Sequence, residues 1–142
     1  MGGIVVGVDG SPGAVRALEW AVGEARLRAT GLTLVHAWHI PTSVKMATPG
    51  LPLADWAVLE DAARQILAQA AEQVRRAGVE VEPVLVERYA APALIEQGRG
   101  ADLLVVGSRG RGGFTGLLLG SVSQEVAHHA RCPLVIVPPP PD

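Results

Sequence analysis

Short apolar runs alternate with helix-like segments along the whole chain, and this alternation restricts the fold more than any single motif. Segments 4–8 and 102–106 are almost continuously apolar, which is typical of buried strands. Segments 32–37 and 134–137 predict two further strands. Segment 79–86 mixes apolar and acidic residues and predicts a less buried or edge strand.

Helical patterns occupy the segments between these strands. Ser11 and Pro12 predict the N-cap and first residue of a helix that Gly31 ends. Segments 55–77, 92–97 and 121–130 predict three more helices. The stretch from Trp38 to Ala54 contains three prolines and a glycine and predicts a long loop, of the kind that often forms a lid.

Strands that alternate with helices predict an α/β fold, with an open parallel sheet covered by helices on both faces. The 142 residues suffice for a single domain, 1–142. A net charge of −2 argues against a nucleic-acid partner. Cys132 is the only cysteine, which fits a reducing cytoplasm. No stretch reaches the length of a membrane span, and the first strand begins too close to Met1 to leave room for a signal peptide.

A glycine-rich run separates the strand at 102–106 from the helix that begins at Ser121. A strand, a glycine loop and a helix start in this order form a cradle for a phosphate, because glycine permits close approach and the first helical N–H groups point at the anion. Ligands of open parallel sheets bind beyond the carboxyl ends of the strands. Asp9 follows the first strand, so we expect its carboxylate and the glycine run to face one crevice if the two strands are neighbours.

The spacing Gly107-x2-Gly110-x9-Gly120-Ser121 resembles the ATP-binding signature of the universal stress protein family, G-2x-G-9x-G-(S/T). The beginning of the chain, 7–11, and its end, 132–137, are also similar to that family. The resemblance covers essentially the whole chain. It implies a Rossmann-like five-stranded sheet of order 3-2-1-4-5, bound ATP or a related adenine nucleotide with or without Mg²⁺, and a homodimer formed through the last strand.

The resemblance also implies roles for individual residues. Asp9 would contact the ribose, the backbone near Ala37 would meet the adenine, and the glycines and helix start would hold the phosphates. We add the two arginines of the glycine run as phosphate contacts from their charge. The predicted binding residues are Asp9, Gly10, Ala37, Gly107, Arg109, Gly110, Arg111, Gly112, Gly113, Gly120, Ser121, Val122 and Ser123. A valine at Gly107 is expected to abolish binding with little loss of fold.

The sequence favours binding over turnover, as in a nucleotide-dependent stress-response regulator. It has no G-x4-G-K-[ST] loop, and Asp102 lies at the opposite end of its strand from the crevice. We therefore expect no enzyme, or at most a weak ATPase. An AMP or cyclic-AMP sensor, a slow ATP hydrolase or nucleotidyl transferase, and a nucleotide-free interaction module remain alternatives. No histidine is expected to bind a metal, and Trp38 and Trp56 could line or close the site.

Overall fold

Five strands and five helices alternate in the computed structural model, which describes residues 3–47, 50, 53–109 and 119–140. The alternation agrees with the α/β class that the sequence predicts. In chain order the elements are β1 (Ile4–Gly7), α1 (Pro12–Arg28), β2 (Leu32–Trp38), α2 (Thr42–Ala47), α3 (Leu53–Arg76), β3 (Val81–Glu87), α4 (Ala90–Gln97), β4 (Leu103–Gly107), α5 (Ser121–His129) and β5 (Leu134–Val137).

The strands form one parallel sheet in the order β3-β2-β1-β4-β5. The predicted order is therefore confirmed. The chain builds outward from β1 to β3 and then crosses back to place β4 on the other side of β1. The strand order thus reverses between β1 and β4, and their carboxyl ends open a crevice at this point.

Helices cover both faces of the sheet, as predicted, and each face has its own apolar core. On one face α1 and α3 pack against β1 residues such as Val6. On the other, α4 and α5 pack against Val5, Leu104 and Val106. Because successive strand residues point to opposite faces, β1 and β4 must be apolar at every position. This explains the continuous apolar runs in the sequence.

Helix α1 begins as predicted but ends earlier. The Ser11 Oγ accepts a hydrogen bond from the Ala14 N–H at 3.2 Å, which caps the helix start. Its last residue is Arg28, and Ala29 provides the left-handed cap (φ 53°), so the prediction that Gly31 ends this helix is wrong. Gly31 instead lies against β3, where a Cβ would come within 3.1 Å of the Glu80 carbonyl oxygen.

The predicted loop from Trp38 to Ala54 is wrong in part. Trp38 ends β2, α2 occupies Thr42–Ala47, and α3 begins at Leu53. Pro41 directly precedes α2, where it interrupts no helical hydrogen bond.

Two other boundaries also differ from the sequence prediction. Helix α4 begins at Ala90, two residues before the predicted Pro92, and proline is tolerated there because the first turn of a helix lacks intrahelical N–H bonds. Strand β3 spans Val81–Glu87 where 79–86 was predicted.

Helix α1 lies very close to the end of β4, and two glycines permit this. A Cβ at Gly107 would stand 2.8 and 2.9 Å from the backbone carbon and oxygen of Gly13. A Cβ at Gly13 would stand 2.5 Å from the Arg109 carbonyl oxygen. The expectation that a valine at Gly107 leaves the fold nearly intact is therefore wrong, because its side chain would point into α1.

The Gly107→Ala variant tests this contact. Because the added methyl group meets backbone and not a flexible side chain, we expect the free energy of unfolding to fall by about 1–3 kcal/mol. Gly23→Ala is the matched control, since Gly23 lies within α1 with no atom within 4 Å of its Cβ position. This control should gain about 0.5–1 kcal/mol from helix propensity. Equal urea midpoints for Gly107→Ala and the wild type would contradict the close packing.

Candidate functional site

A cavity of about 520 Å³ opens at the carboxyl ends of β1, β2 and β4. It lies where the strand order reverses, which is the expected ligand position of an open parallel sheet. Its size falls in the range of small-molecule sites. The described lining residues are Gly7, Val8, Asp9, Ser11, Ala14, Val35, Ala37, His39, Ala90, Leu94, Val106, Gly107, Arg109, Leu119, Gly120, Ser121, Val122, Ser123 and Gln124.

Asp9 lines the cavity two residues after β1, the strand that lies between β2 and β4. Its Oδ1 accepts a hydrogen bond from the Ser11 N–H at 2.8 Å, which holds the carboxylate against the first turn of α1. Ser11 in turn caps α1 through its own hydroxyl group. Asp9 and Ser11, in the four-residue segment between β1 and α1, thus set the direction of the carboxylate. Asp9 is also the only acidic residue among the described lining residues.

The β2 side of the cavity is mostly apolar. Val35, Ala37 and His39 line it at every second position, as expected for one face of a strand. His36, on the alternate position, is buried, and its Nδ1–H donates to the Val8 carbonyl oxygen at 2.7 Å. Together with the 2.9 Å bond from the Val8 N–H to Val35, this fastens the end of β1 to β2. No sequence pattern indicates this role of His36.

The third side of the cavity is the start of α5, which the Ser108 carbonyl oxygen attaches to β4. This oxygen accepts hydrogen bonds from the Gly120 N–H and the Ser123 Oγ, both at 2.7 Å. Ser123 also bonds the Gly120 carbonyl oxygen at 3.1 Å and is buried. Its hydroxyl group therefore stabilises the helix start from inside.

Among the described residues, no side chain caps the start of α5. The N-cap is Gly120, and Ser121 is the first helical residue without a side-chain cap. The N–H groups of Ser121, Val122 and Ser123 belong to the first turn, where a helix offers its donors outward. The Gly120 N–H is engaged by Ser108, so it is not directed at a ligand.

Most of the predicted binding residues that the structure describes meet at this cavity. Gly10 does not line it, and with φ of 79° it forms the turn after Asp9. The predicted residues that line it are Asp9, Ala37, Gly107, Arg109, Gly120, Ser121, Val122 and Ser123. The predictions on Gly110, Arg111, Gly112 and Gly113 fall outside the described residues.

Sequence reasoning missed the wall contributed by His39 and α4. Ala90 and Leu94 of α4 line the cavity, and Leu94 packs so closely over Gly7 that a Cβ there would lie 3.0 Å from its Cδ2. This wall depends on how α4 crosses the sheet, which no local motif records. Trp38 and Trp56, which we expected near the site, are not among the described lining residues.

Other reactive groups lie away from the cavity. Burial raises the pKa of the Cys132 thiol above its ordinary value, which keeps it protonated and weakly nucleophilic at neutral pH. Within the described residues, no three His, Cys, Asp or Glu side chains are grouped as metal ligands. None of the described helices is both long and apolar enough to cross a bilayer.

The sequence matches the model of the universal stress protein family over residues 1–138. The chain belongs to this family. Universal stress protein Rv2623 of Mycobacterium tuberculosis is 38% identical over 140 residues, which cover 95% of this chain and 47% of that protein. The chain therefore spans about half the length of the curated relatives it matches.

Two solved structures of universal stress proteins resemble the fold closely. One, a complex with cAMP, is 30% identical with a TM-score of 0.72, covering 96% of this chain and 97% of that one. The other, from Archaeoglobus fulgidus in complex with dAMP, is 25% identical with a TM-score of 0.67, covering 96% and 98%.

Proposed function

We propose that this protein binds an adenine nucleotide in the cavity and acts as a nucleotide-dependent stress-response regulator with little or no turnover. One observation carries the proposal: across the cavity, an apolar side, a carboxylate and a helix start follow one another in the same order as the base, ribose and phosphates of a nucleotide. The apolar β2 side suits a base, Asp9 in the middle suits a ribose, and the α5 start suits phosphates. Two strand spacings separate β2 from β4, roughly 10 Å, which suits a nucleotide lying across them.

The α5 start supports phosphate binding through its geometry. Residues 120–124 at its start line the cavity, and this end of a helix carries N–H groups without intrahelical partners and the positive end of the dipole. Arg109 also lines the cavity on this side, where its positive charge favours an anion. No lysine is needed for this arrangement, which agrees with a chain whose only lysine is Lys45.

Asp9 supports ribose binding because its carboxylate is already oriented. Ser11 holds one oxygen. A carboxylate accepts several hydrogen bonds at once, which is the chemistry that ribose hydroxyls require.

ATP is the nucleotide we favour, because the glycine spacing matches the ATP-binding signature. Mg²⁺ fits only as an ion carried by the phosphates, since Asp9 is the only carboxylate among the described lining residues and Mg²⁺ commonly binds through few carboxylates plus substrate phosphates. The same scarcity of carboxylates, with no P-loop lysine, supports weak hydrolysis at most.

A monophosphate sensor is the second candidate function. Two solved relatives are complexes with cAMP and dAMP, both of which carry a single phosphate.

We also infer a cytoplasmic location, which the single cysteine supports, and no nucleic-acid or membrane partner.

Calorimetric titration with ATP, AMP and cAMP tests the nucleotide site. We expect at least one to bind, and Asp9→Asn to weaken it about tenfold or more, because a hydrogen bond to a charged group is lost. Asparagine retains an oxygen for the Ser11 N–H. Asp102→Asn is the matched control, since Asp102 also accepts a backbone N–H, from Gly3, at the opposite end of the sheet. The control should bind normally; a wild type that binds none of the three would refute the proposal.

We further propose a homodimer formed through β5, residues Leu134 to Val137. Leu104 N–H donates to Pro133 and Ser108 N–H to Val137, both at 2.9 Å. Because a parallel strand alternates its bonding direction, Leu134 and Ile136 direct their N–H and C=O groups to the outer edge. The strand is apolar and only half-buried, which favours pairing with a second copy.

The opposite edge of the sheet is protected against such pairing. The Arg88 N–H donates to the Trp38 carbonyl oxygen, and the Glu80 carbonyl oxygen accepts the Leu32 N–H. The even-numbered residues of this segment therefore face β2 and the odd-numbered ones face outward. Pro83 lies at an outward position, where it has no N–H to donate. Exposed glutamates flank it in the same strand. The β5 edge therefore favours pairing with another strand, whereas the β3 edge disfavours it.

Sedimentation velocity tests the dimer. At tens of micromolar we expect the wild type to sediment as a dimer and Ile136→Pro as a folded monomer, because proline removes one outward N–H without touching the bonds to β4. Leu85→Pro makes the same change at the outer edge of β3 and should remain dimeric. A monomeric wild type, or loss of the dimer in the β3 variant alone, would contradict this assembly.

A further inference from the structure

His39 and Tyr89 form an aromatic pair at the β2 end of the cavity. Their ring centroids lie 3.9 Å apart with the planes tilted by 40°. His39 lines the cavity, whereas Tyr89 does not and is 57% exposed. One side of the imidazole is therefore covered by Tyr89, and the ring also borders the space where we place the base.

The backbone brings these two residues together. The ladder between β2 and β3 runs to Trp38 opposite Glu87, and the Arg88 N–H adds one more bond to the Trp38 carbonyl oxygen at 2.8 Å. His39 and Tyr89 come immediately after this last bond. Tyr89 is also the N-cap of α4, and its carbonyl oxygen accepts the Ala93 N–H at 3.2 Å. Both residues therefore lie next to segments that backbone hydrogen bonds hold in place.

His39 continues the face of β2 that carries Val35 and Ala37 along the cavity. Those two side chains are small and apolar and give a base little beyond burial. An imidazole adds a planar ring for stacking and a ring nitrogen for a hydrogen bond, which proteins use to hold unpaired bases. It is the only aromatic ring among the described lining residues.

We propose that His39 contacts the purine ring of the bound nucleotide and that Tyr89 is a positioning residue that holds the imidazole in place. The proposal rests on the proposed nucleotide function and adds to it the residue that distinguishes a nucleotide from a sugar phosphate. Removing the ring then affects only ligands that carry a base. The phosphate contacts at α5 lie on the other side of the cavity and remain intact.

Calorimetry with ATP, AMP and cAMP, and competition with ribose 5-phosphate, tests this role. We expect His39→Ala to weaken the adenine nucleotides about tenfold, the effect of losing one stacking ring, and to leave ribose 5-phosphate unchanged. His39→Phe should retain most of the nucleotide affinity. Tyr89→Ala should lower the affinity for the nucleotides less than His39→Ala does. Tyr89→Phe should bind them with nearly the wild-type affinity, because it retains the ring that packs against His39. His128→Ala, on the exposed last turn of α5, is the control.

The outcomes separate this inference from the proposed function. A wild type that binds none of the nucleotides overturns both. A wild type that binds a nucleotide which His39→Ala binds equally well overturns only the role of His39. Equal weakening of nucleotide and ribose 5-phosphate by His39→Ala also overturns it, because the effect would then not depend on the base.

Discussion

The contact between Gly13 of α1 and Gly107 of β4 is the constraint on which the rest of the site depends. It brings the first turn of α1 to the end of β4, with no space for a Cβ on either residue. Asp9 precedes α1 and Arg109 follows β4, so the same contact brings the backbone segments that carry these two residues together at the cavity. Glycine at both positions is therefore a packing requirement, whereas the family signature relates Gly107 only to the phosphates.

A second set of hydrogen bonds positions the start of α5 relative to the end of β4. The Ser108 carbonyl oxygen holds Gly120 and Ser123, and the Ser108 N–H bonds Val137 of β5. The α5 start is thereby joined to the edge strand that we propose as the dimer interface. The proposed phosphate side and the proposed dimer edge are therefore both hydrogen-bonded to one residue, Ser108.

The sequence could predict the strands, the helices on both faces and the lining residues at the β4 and α5 side of the cavity, because apolar runs and glycine spacing are local signals. It could not predict the β2 side. His39 and Leu94 line the cavity only because the β2–β3 ladder and the crossing of α4 bring them there, and neither belongs to a motif. The structure also adds a packing role to Gly107 and a hydrogen-bonding role to Ser123, because a sequence does not record which backbone a glycine approaches or which way a hydroxyl turns.

An amide chemical-shift titration of the labelled protein with ATP tests the central claim most directly. If the cavity binds the nucleotide in the proposed orientation, the largest shifts will be at 121–123, with Asp9 and Ala37 also shifting. The amides of Gly3 and Asp102, at the opposite end of the sheet, will remain unchanged. Shifts confined to that opposite end, or none at a millimolar concentration of ATP, would contradict the account.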